Sequence, residues 1–133
     1  TPQNRNKKGR KLRGYTRLER SMSQRSLPSM YLLPGNVVKA VADMGTAFAG
    51  DNIFVDTSAG AVTITLPSSP TQGDAVSFID AEGTFDTNNL TVEPGSEKIM
   101  ANTAGDEMVV DTNNAGFTLV YQDSDFGWRL KNH

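Results

Sequence analysis

The sequence contains no cysteine, which excludes a disulfide scaffold and any thiolate metal site, zinc fingers included. Its single histidine is the last residue, His133, so a catalytic triad has no internal imidazole to serve as its base. Neither Gly-x-Gly-x-x-Gly nor Gly-x-x-x-x-Gly-Lys occurs, which removes the usual phosphate-cradling loops. The basic first residues are not followed by the ~7–15 apolar residues of a secretory signal, and no run approaches the ~20 apolar residues of a membrane-crossing helix. No catalytic residue, cofactor site or metal ligand is assigned from the sequence, and no membrane partner is expected. The cytoplasm, or a particle assembled there, is the expected location.

What is present is charge, and it is divided between the two ends. From Thr1 to Ser26 there are nine basic residues against Glu19 alone, a net of +8. The rest of the chain holds four basic and fourteen acidic residues, a net of −10. The overall charge of −2 conceals this. The division reads as a basic N-terminal arm and linker over 1–35 and an acidic β-rich domain over 36–133, the arm seeking a negative partner.

Up to about Arg10 the arm has no apolar side chain, so it cannot offset its own ordering entropy and is expected to order only on a partner. Between Lys11 and Arg25, Leu12, Tyr15, Leu18 and Met22 recur at helical spacing among arginines, the pattern of a short amphipathic helix, marginal by itself in water, or else of a solvated basic tail. The partner-binding residues expected from this pattern are Arg5, Lys7, Lys8, Arg10, Lys11, Leu12, Arg13, Tyr15, Arg17, Leu18, Arg20, Met22 and Arg25. The apolar stripe favours a protein groove over nucleic acid, which needs little beyond positive charge. Pro28 and Pro34 frame a segment, Ser26 to Gly35, that reads as an extended linker docking on the domain.

A stretch of the domain occurs twice. Ala49 to Leu66 and Ala104 to Tyr121 agree at seven of eighteen positions; each has a Gly-Asp turn, a short β-branched or apolar run, a polar turn and an alternating run, and each reads as a β-hairpin. Val37 to Ala42 is ambiguous in period and is taken as strand. Further strands are expected near 52–56, 61–66, 75–79, 90–93, 98–101, 107–110, 117–121 and 128–130, with turn signals about every ten residues. Pro67 to Asp74 is a tight corner. Asp86-Thr87-Asn88-Asn89 and Asp111-Thr112-Asn113-Asn114 are turn tips. The fold class is all-β, a small antiparallel sandwich or barrel-like domain preceded by an extended basic arm. Alternation places Ile53, Val55, Val62, Ile64, Leu66, Val76, Phe78, Leu90, Val92, Val109, Phe117, Leu119, Trp128 and Leu130 inward.

Carboxylates are plentiful, and Asp80 with Glu82, Asp106 with Glu107, and Asp123 with Asp125 are the pairs to weigh. None falls in the patterned loop that a calcium ion needs, so turn capping is the expected role. Trp128 is the only tryptophan. It serves either as a core anchor, the favoured reading, or as a stacking platform for sugars.

Ala49-Gly50-Asp51, Asp56 to Pro67 and Pro70 to Phe78, followed by Asn89 to Val92, Gly116 to Tyr121 and Gly127 to Leu130, resemble a β module recurrent in tailed-bacteriophage virion proteins. The resemblance covers roughly Asp43 to Leu130 and carries over no catalytic residue. It implies a structural part of a virion, assembled in the host cytoplasm and homotrimeric. The short chain favours a capsid decoration or cement protein, bound through its arm to a major capsid or neck or tail protein. The alternatives are a neck or tail fibre adaptor, the anchoring fragment of a longer fibre and, in another class, a glycan-binding module.

Overall fold

Short β-branched runs punctuated by Gly, Asp, Asn and Pro favour strands over helices. In the computed structural model, which describes residues 30–32 and 37–131, the described residues form strands and no helix. The strands are β1 Met30–Leu32, β2 Val37–Ala40, β3 Gly45–Thr46, β4 Asn52–Val55, β5 Val62–Thr65, β6 Ala75–Asp80, β7 Leu90–Glu93, β8 Met108–Val110, β9 Gly116–Asp123 and β10 Gly127–Lys131. They make a six-stranded sheet, β1-β2-β4-β6-β9-β10, and a four-stranded sheet, β3-β5-β7-β8. The inner faces of both sheets contribute to one core, Val38, Ile53, Val55, Phe78, Leu119 and Trp128 from one side and Val62, Ile64, Leu90 and Val92 from the other. The described residues are all-β and two-layered, as their turn spacing leads one to expect.

The pairing differs from the antiparallel expectation. β2, β4 and β6 are parallel neighbours, with Val38 beside Ile53 and Ile53 beside Phe78. β3, β5 and β7 are parallel neighbours in the other sheet, with Ile64 beside Val92. Antiparallel pairs flank these ladders: β1 on β2, β9 on β6, β10 on β9 and β8 on β7. Both sheets are therefore mixed. From β2 to β7 successive strands alternate between the sheets, so the chain winds as a flattened coil around the shared core.

Neither echoed stretch is a hairpin. β4 and β5 lie in different sheets, and so do β8 and β9. The connection after β4 is an arch, braced by Asp56 Oδ1, which accepts from the Ser58 N–H (2.9 Å) and from Ser58 Oγ (2.6 Å), and by the Gly60 N–H donating to the Thr57 carbonyl. An arch and a hairpin use the same turn residues and flank the same alternating runs; they differ in whether the strands bond to each other or face each other across a core. The two copies do share their first turn. Gly50 (φ 92°) and Gly105 (φ 88°) occupy the left-handed region, and Asp51 and Asp106 each donate an N–H to the carbonyl three residues back, at 3.1 Å.

Alternation places most of the expected core correctly. Two residues are exposed instead: Val109, 50 % exposed, which points outward, and Leu130, 40 % exposed, which lies on the inner side near the end of β10. Phe117 is half-buried and stacks on Phe78 with ring centroids 5.1 Å apart. Met108-Val109-Val110 is apolar at every position, so composition does not fix its register, and the pairing of Thr91 with Val109 turns Met108 and Val110 inward. The expected strand 98–101 is a loop with Met100 (φ 54°) and Ala101 (φ 62°) in the left-handed region, joined to β10 by an isolated parallel bridge between Ile99 and Trp128. Met30–Leu32, within the stretch read as a docking linker, adds a strand to the edge of the larger sheet.

Gly127 is where this loop and β10 meet. It adopts φ +71°, and a Cβ there would run into the backbone carbonyl of Lys98, whose oxygen accepts the Trp128 N–H at 2.8 Å. Gly95 has a similar φ of +67° with open space around it. Gly95→Ala therefore incurs only the conformational cost of about 1 kcal/mol. Gly127→Ala adds a backbone displacement, and thermal unfolding should show it melting at least ~10 °C below Gly95→Ala. Equal melting temperatures would mean that the β10 contact gives way freely.

Candidate functional site

Asp51, Thr57 and Asp80 are buried. Asp80 closes β6, and its carboxylate gathers two loops. Oδ1 accepts the N–H groups of Gly83 (3.0 Å) and Thr84 (3.2 Å), and Oδ2 those of Phe85 (3.2 Å) and Asn114 (2.9 Å). Burial pushes its pKa upward, but these four backbone donors outweigh burial and hold it below the usual carboxylate value. The two Asp-Thr-Asn-Asn tips meet at this place, where Asn113 Oδ1 accepts the Asp86 N–H at 2.8 Å. Thr57 Oγ1 lies 2.6 Å from Thr84 Oγ1, and Asn88 Nδ2 donates to the Thr57 carbonyl. Asp51 Oδ2 accepts the Phe48 N–H and Asp74 Oδ2 the Thr71 N–H, both at 2.9 Å. Asp123 Oδ1 takes the N–H groups of Asp125 and Phe126.

Two of the three carboxylate pairs weighed in the sequence thus contain a member engaged in loop bracing, Asp80 and Asp123. The third, Asp106 and Glu107, is exposed at the approach to β8. Among the described residues no group of three or more His, Asp or Glu side chains is arranged to hold a metal ion. Trp128 is fully buried and packs edge-on to Tyr121, with ring centroids 5.4 Å apart, so it is a core anchor and presents no ring to a sugar. The Tyr121 hydroxyl donates to Glu97 Oε1 at 2.8 Å, which raises the phenol's pKa.

The remaining candidate surfaces are the two outer sheet faces, and they differ in charge. Outward positions on the six-stranded sheet are Val37 and Lys39 on β2, Asn52 and Phe54 on β4, Ala75, Ser77 and Ile79 on β6, Thr118, Val120 and Gln122 on β9, and Arg129 and Lys131 on β10. Three of the four lysines and arginines that follow the arm lie here, and none of these positions holds a carboxylate. Lys39, Phe54 and Ile79 fall in one register row, and Phe54 (38 %) and Ile79 (40 %) are exposed at the middle of the face. Arg129 is held over the Phe126 ring at 5.2 Å and donates to Gln122 Oε1 at 2.6 Å. Asp56, just past β4, is the carboxylate at the rim near Lys39 and is engaged by Ser58.

The four-stranded sheet presents the opposite character. Thr46, Thr65 and Glu93 form one outward row and Thr63, Thr91 and Val109 the next. Asp43 lies at the edge, its Oδ1 accepting the Thr63 N–H at 2.7 Å. Glu93 and Glu107 are each one step beyond the paired Val92 and Met108; desolvation first, and then the neighbouring Glu107, raise the Glu93 pKa. No lysine or arginine among the described residues lies on this face.

The arm residues singled out by sequence, Arg5 through Arg25, lie outside the described residues, and their grouping is not placed by the structure. The charged faces were missed by sequence reading. The signal available was that Lys39, Arg129 and Lys131 alternate with core positions, but which strands share a sheet is not readable from one strand at a time. Comparison with protein-family models and with curated proteins finds no match.

Asp80 should dominate the acid response of the loops. Its depressed pKa means that its contribution is complete above the unfolded value of about 4 and is lost as pH falls through the lower folded value. Asp56, also depressed, chiefly by its Ser58 hydrogen bonds, acts in the same window. Asp80→Asn keeps one acceptor oxygen for four N–H donors, and urea unfolding at neutral pH should show a loss of roughly 3 kcal/mol. Between about pH 4 and pH 2 the variant should lose less further stability than the parent; parallel pH profiles would mean that Asp80 is not the titrating brace.

Proposed function

We propose that this chain is a structural component of a tailed-bacteriophage virion, a capsid decoration or cement protein that attaches to the particle through its basic arm and works as a homotrimer. The observation that carries this reading is the junction of arm and body. The sequence immediately after the arm forms β1, which pairs antiparallel with β2 and so fixes the point of departure at one edge of the six-stranded sheet. A strand ladder is a firm anchor for a segment under load, because several backbone hydrogen bonds must break together.

The body supports the same reading. Its buried carboxylates and hydroxyls brace arches and turns, the provision of a rigid display module. The resemblance of the β runs to phage virion modules points the same way. The partner is an acidic surface of a major capsid or neck or tail protein, and the location is the virion. A neck or tail adaptor would use the same arm and body.

Removal of residues 1–25 tests the arm. The truncated protein should fail to join particles while its circular dichroism remains that of a β protein, and the intact chain should show only weak, non-cooperative retention of DNA on gels. Full incorporation of the truncated protein, together with DNA binding by the intact chain that falls steeply with salt, would assign the arm to nucleic acid instead.

A further inference from the structure

The two sheets pack by their inner faces, so their outer faces look away from each other on opposite sides of the body. One carries Lys39, Arg129 and Lys131 around exposed Phe54 and Ile79; the other carries Glu93, Glu107 and Asp43 around exposed Val109. We propose that the outer face of the six-stranded sheet docks on the outer face of the four-stranded sheet of a second copy of this chain. The inference keeps the self-association of the proposed function, as a stack and not a closed trimer, and is independent of particle attachment.

Three observations select a second copy as the occupant. Charge complementarity is the first: each face supplies the sign the other lacks, and each would repel its own kind. Apolar side chains are the second. Phe54 and Ile79 on one face and Val109 on the other are exposed large hydrophobic groups within sheets, the arrangement of an interface with an apolar centre and a polar rim. The third is the Glu93–Glu107 pair, two carboxylates each one step beyond the paired Val92 and Met108, with no lysine or arginine among the described residues of their own face. A cation delivered from another copy would relieve that repulsion.

The geometry also decides the kind of assembly. Because the two docking faces are different surfaces, the contact is heterologous, and a heterologous contact closes into a ring when the rotation between copies divides the circle. Because those faces look away from each other on opposite sides of the body, the contact repeats as an open stack and does not close into a three-membered ring. Face-to-face pairing of identical sheets would give a dimer and would bring two faces of like charge together.

Charge reversal on the full chain tests this. Lys39→Glu/Lys131→Glu makes both faces acidic, and Glu93→Lys/Glu107→Lys makes both basic. Light scattering across roughly micromolar to hundred-micromolar protein should show the unaltered chain as an oligomer, weakened severalfold as salt rises from about 0.05 to 0.5 M. Each variant alone should associate at least tenfold more weakly. Mixed in equal amounts, the two should regain the oligomer, since the unaltered basic face of one meets the unaltered acidic face of the other. Should either reversal lose the native circular dichroism, the neutral pairs Lys39→Gln/Lys131→Gln and Glu93→Gln/Glu107→Gln replace them, each expected to weaken association. An oligomer that persists in both variants would overturn the inference and leave self-association standing. A loss confined to the acidic-face variant would assign that face to the arm and overturn it too. An unaltered chain that stays monomeric throughout would overturn both the inference and the homotrimer.

Discussion

The structure depends on the crossing of the chain between two sheets at each step from β2 to β7. Parallel neighbours cannot be joined by tight turns, so each ladder requires the chain to leave its sheet and return. In a small all-β body with no helix among the described residues, the opposite sheet is where the chain goes in between. Each crossing must turn backbone through the edge of the core without leaving N–H groups unpaired. That requirement explains why so many aspartates and threonines are turned to loop bracing. Asp80 alone receives four N–H groups from two separate loops, and through Asn114 it ties the arch after β6 to the turn that leads into β9.

Seen this way, the acidic composition has two components with different physics. Asp51, Asp56, Asp74, Asp80 and Asp123 accept nearby backbone N–H groups, and their charge is a by-product of the strength of charge-assisted hydrogen bonds. Glu93 and Glu107 instead stand beside each other on a sheet face, where desolvation and then the neighbouring carboxyl raise the Glu93 pKa. A net charge counted over the whole domain merges the two. The count of −10 therefore says little about the field at any one surface, and the face beside which the arm joins is the one without outward carboxylates.

Much of the fold was legible because strand periodicity is local. Val62, Ile64 and Leu66, Val76 and Phe78, and Leu90 and Val92 alternate with polar residues and turned inward as the pattern requires, and Ile53 and Val55 turned inward as well although Phe54 between them is apolar. The partner of each strand was not legible. Ser58-Ala59-Gly60 would serve a hairpin or an arch equally well, and only the packing of Ile53 and Ile64 into one core from two sheets decides between them. Val109 failed for a related reason: in an unbroken apolar run the face is set by the neighbour strand. Leu130 alternates correctly with Arg129 but lies near the end of β10, where burial by the opposing sheet has ceased.

The candidate site was less legible than the core, because a surface is a property of several strands at once. Lys39, Phe54 and Ile79 are far apart in the chain and become a row only through the parallel register of β2, β4 and β6. The same register that aligns Val38, Ile53 and Phe78 inward necessarily aligns their outward neighbours, so a parallel ladder produces an inner and an outer row in one step. In such a coil the chemistry of each outer face is set by whichever residues sit one position away from the core. Selection on surface charge can then act on one sheet without disturbing the other, and a body of this size can carry two faces of opposite sign while its interior remains a single apolar cluster.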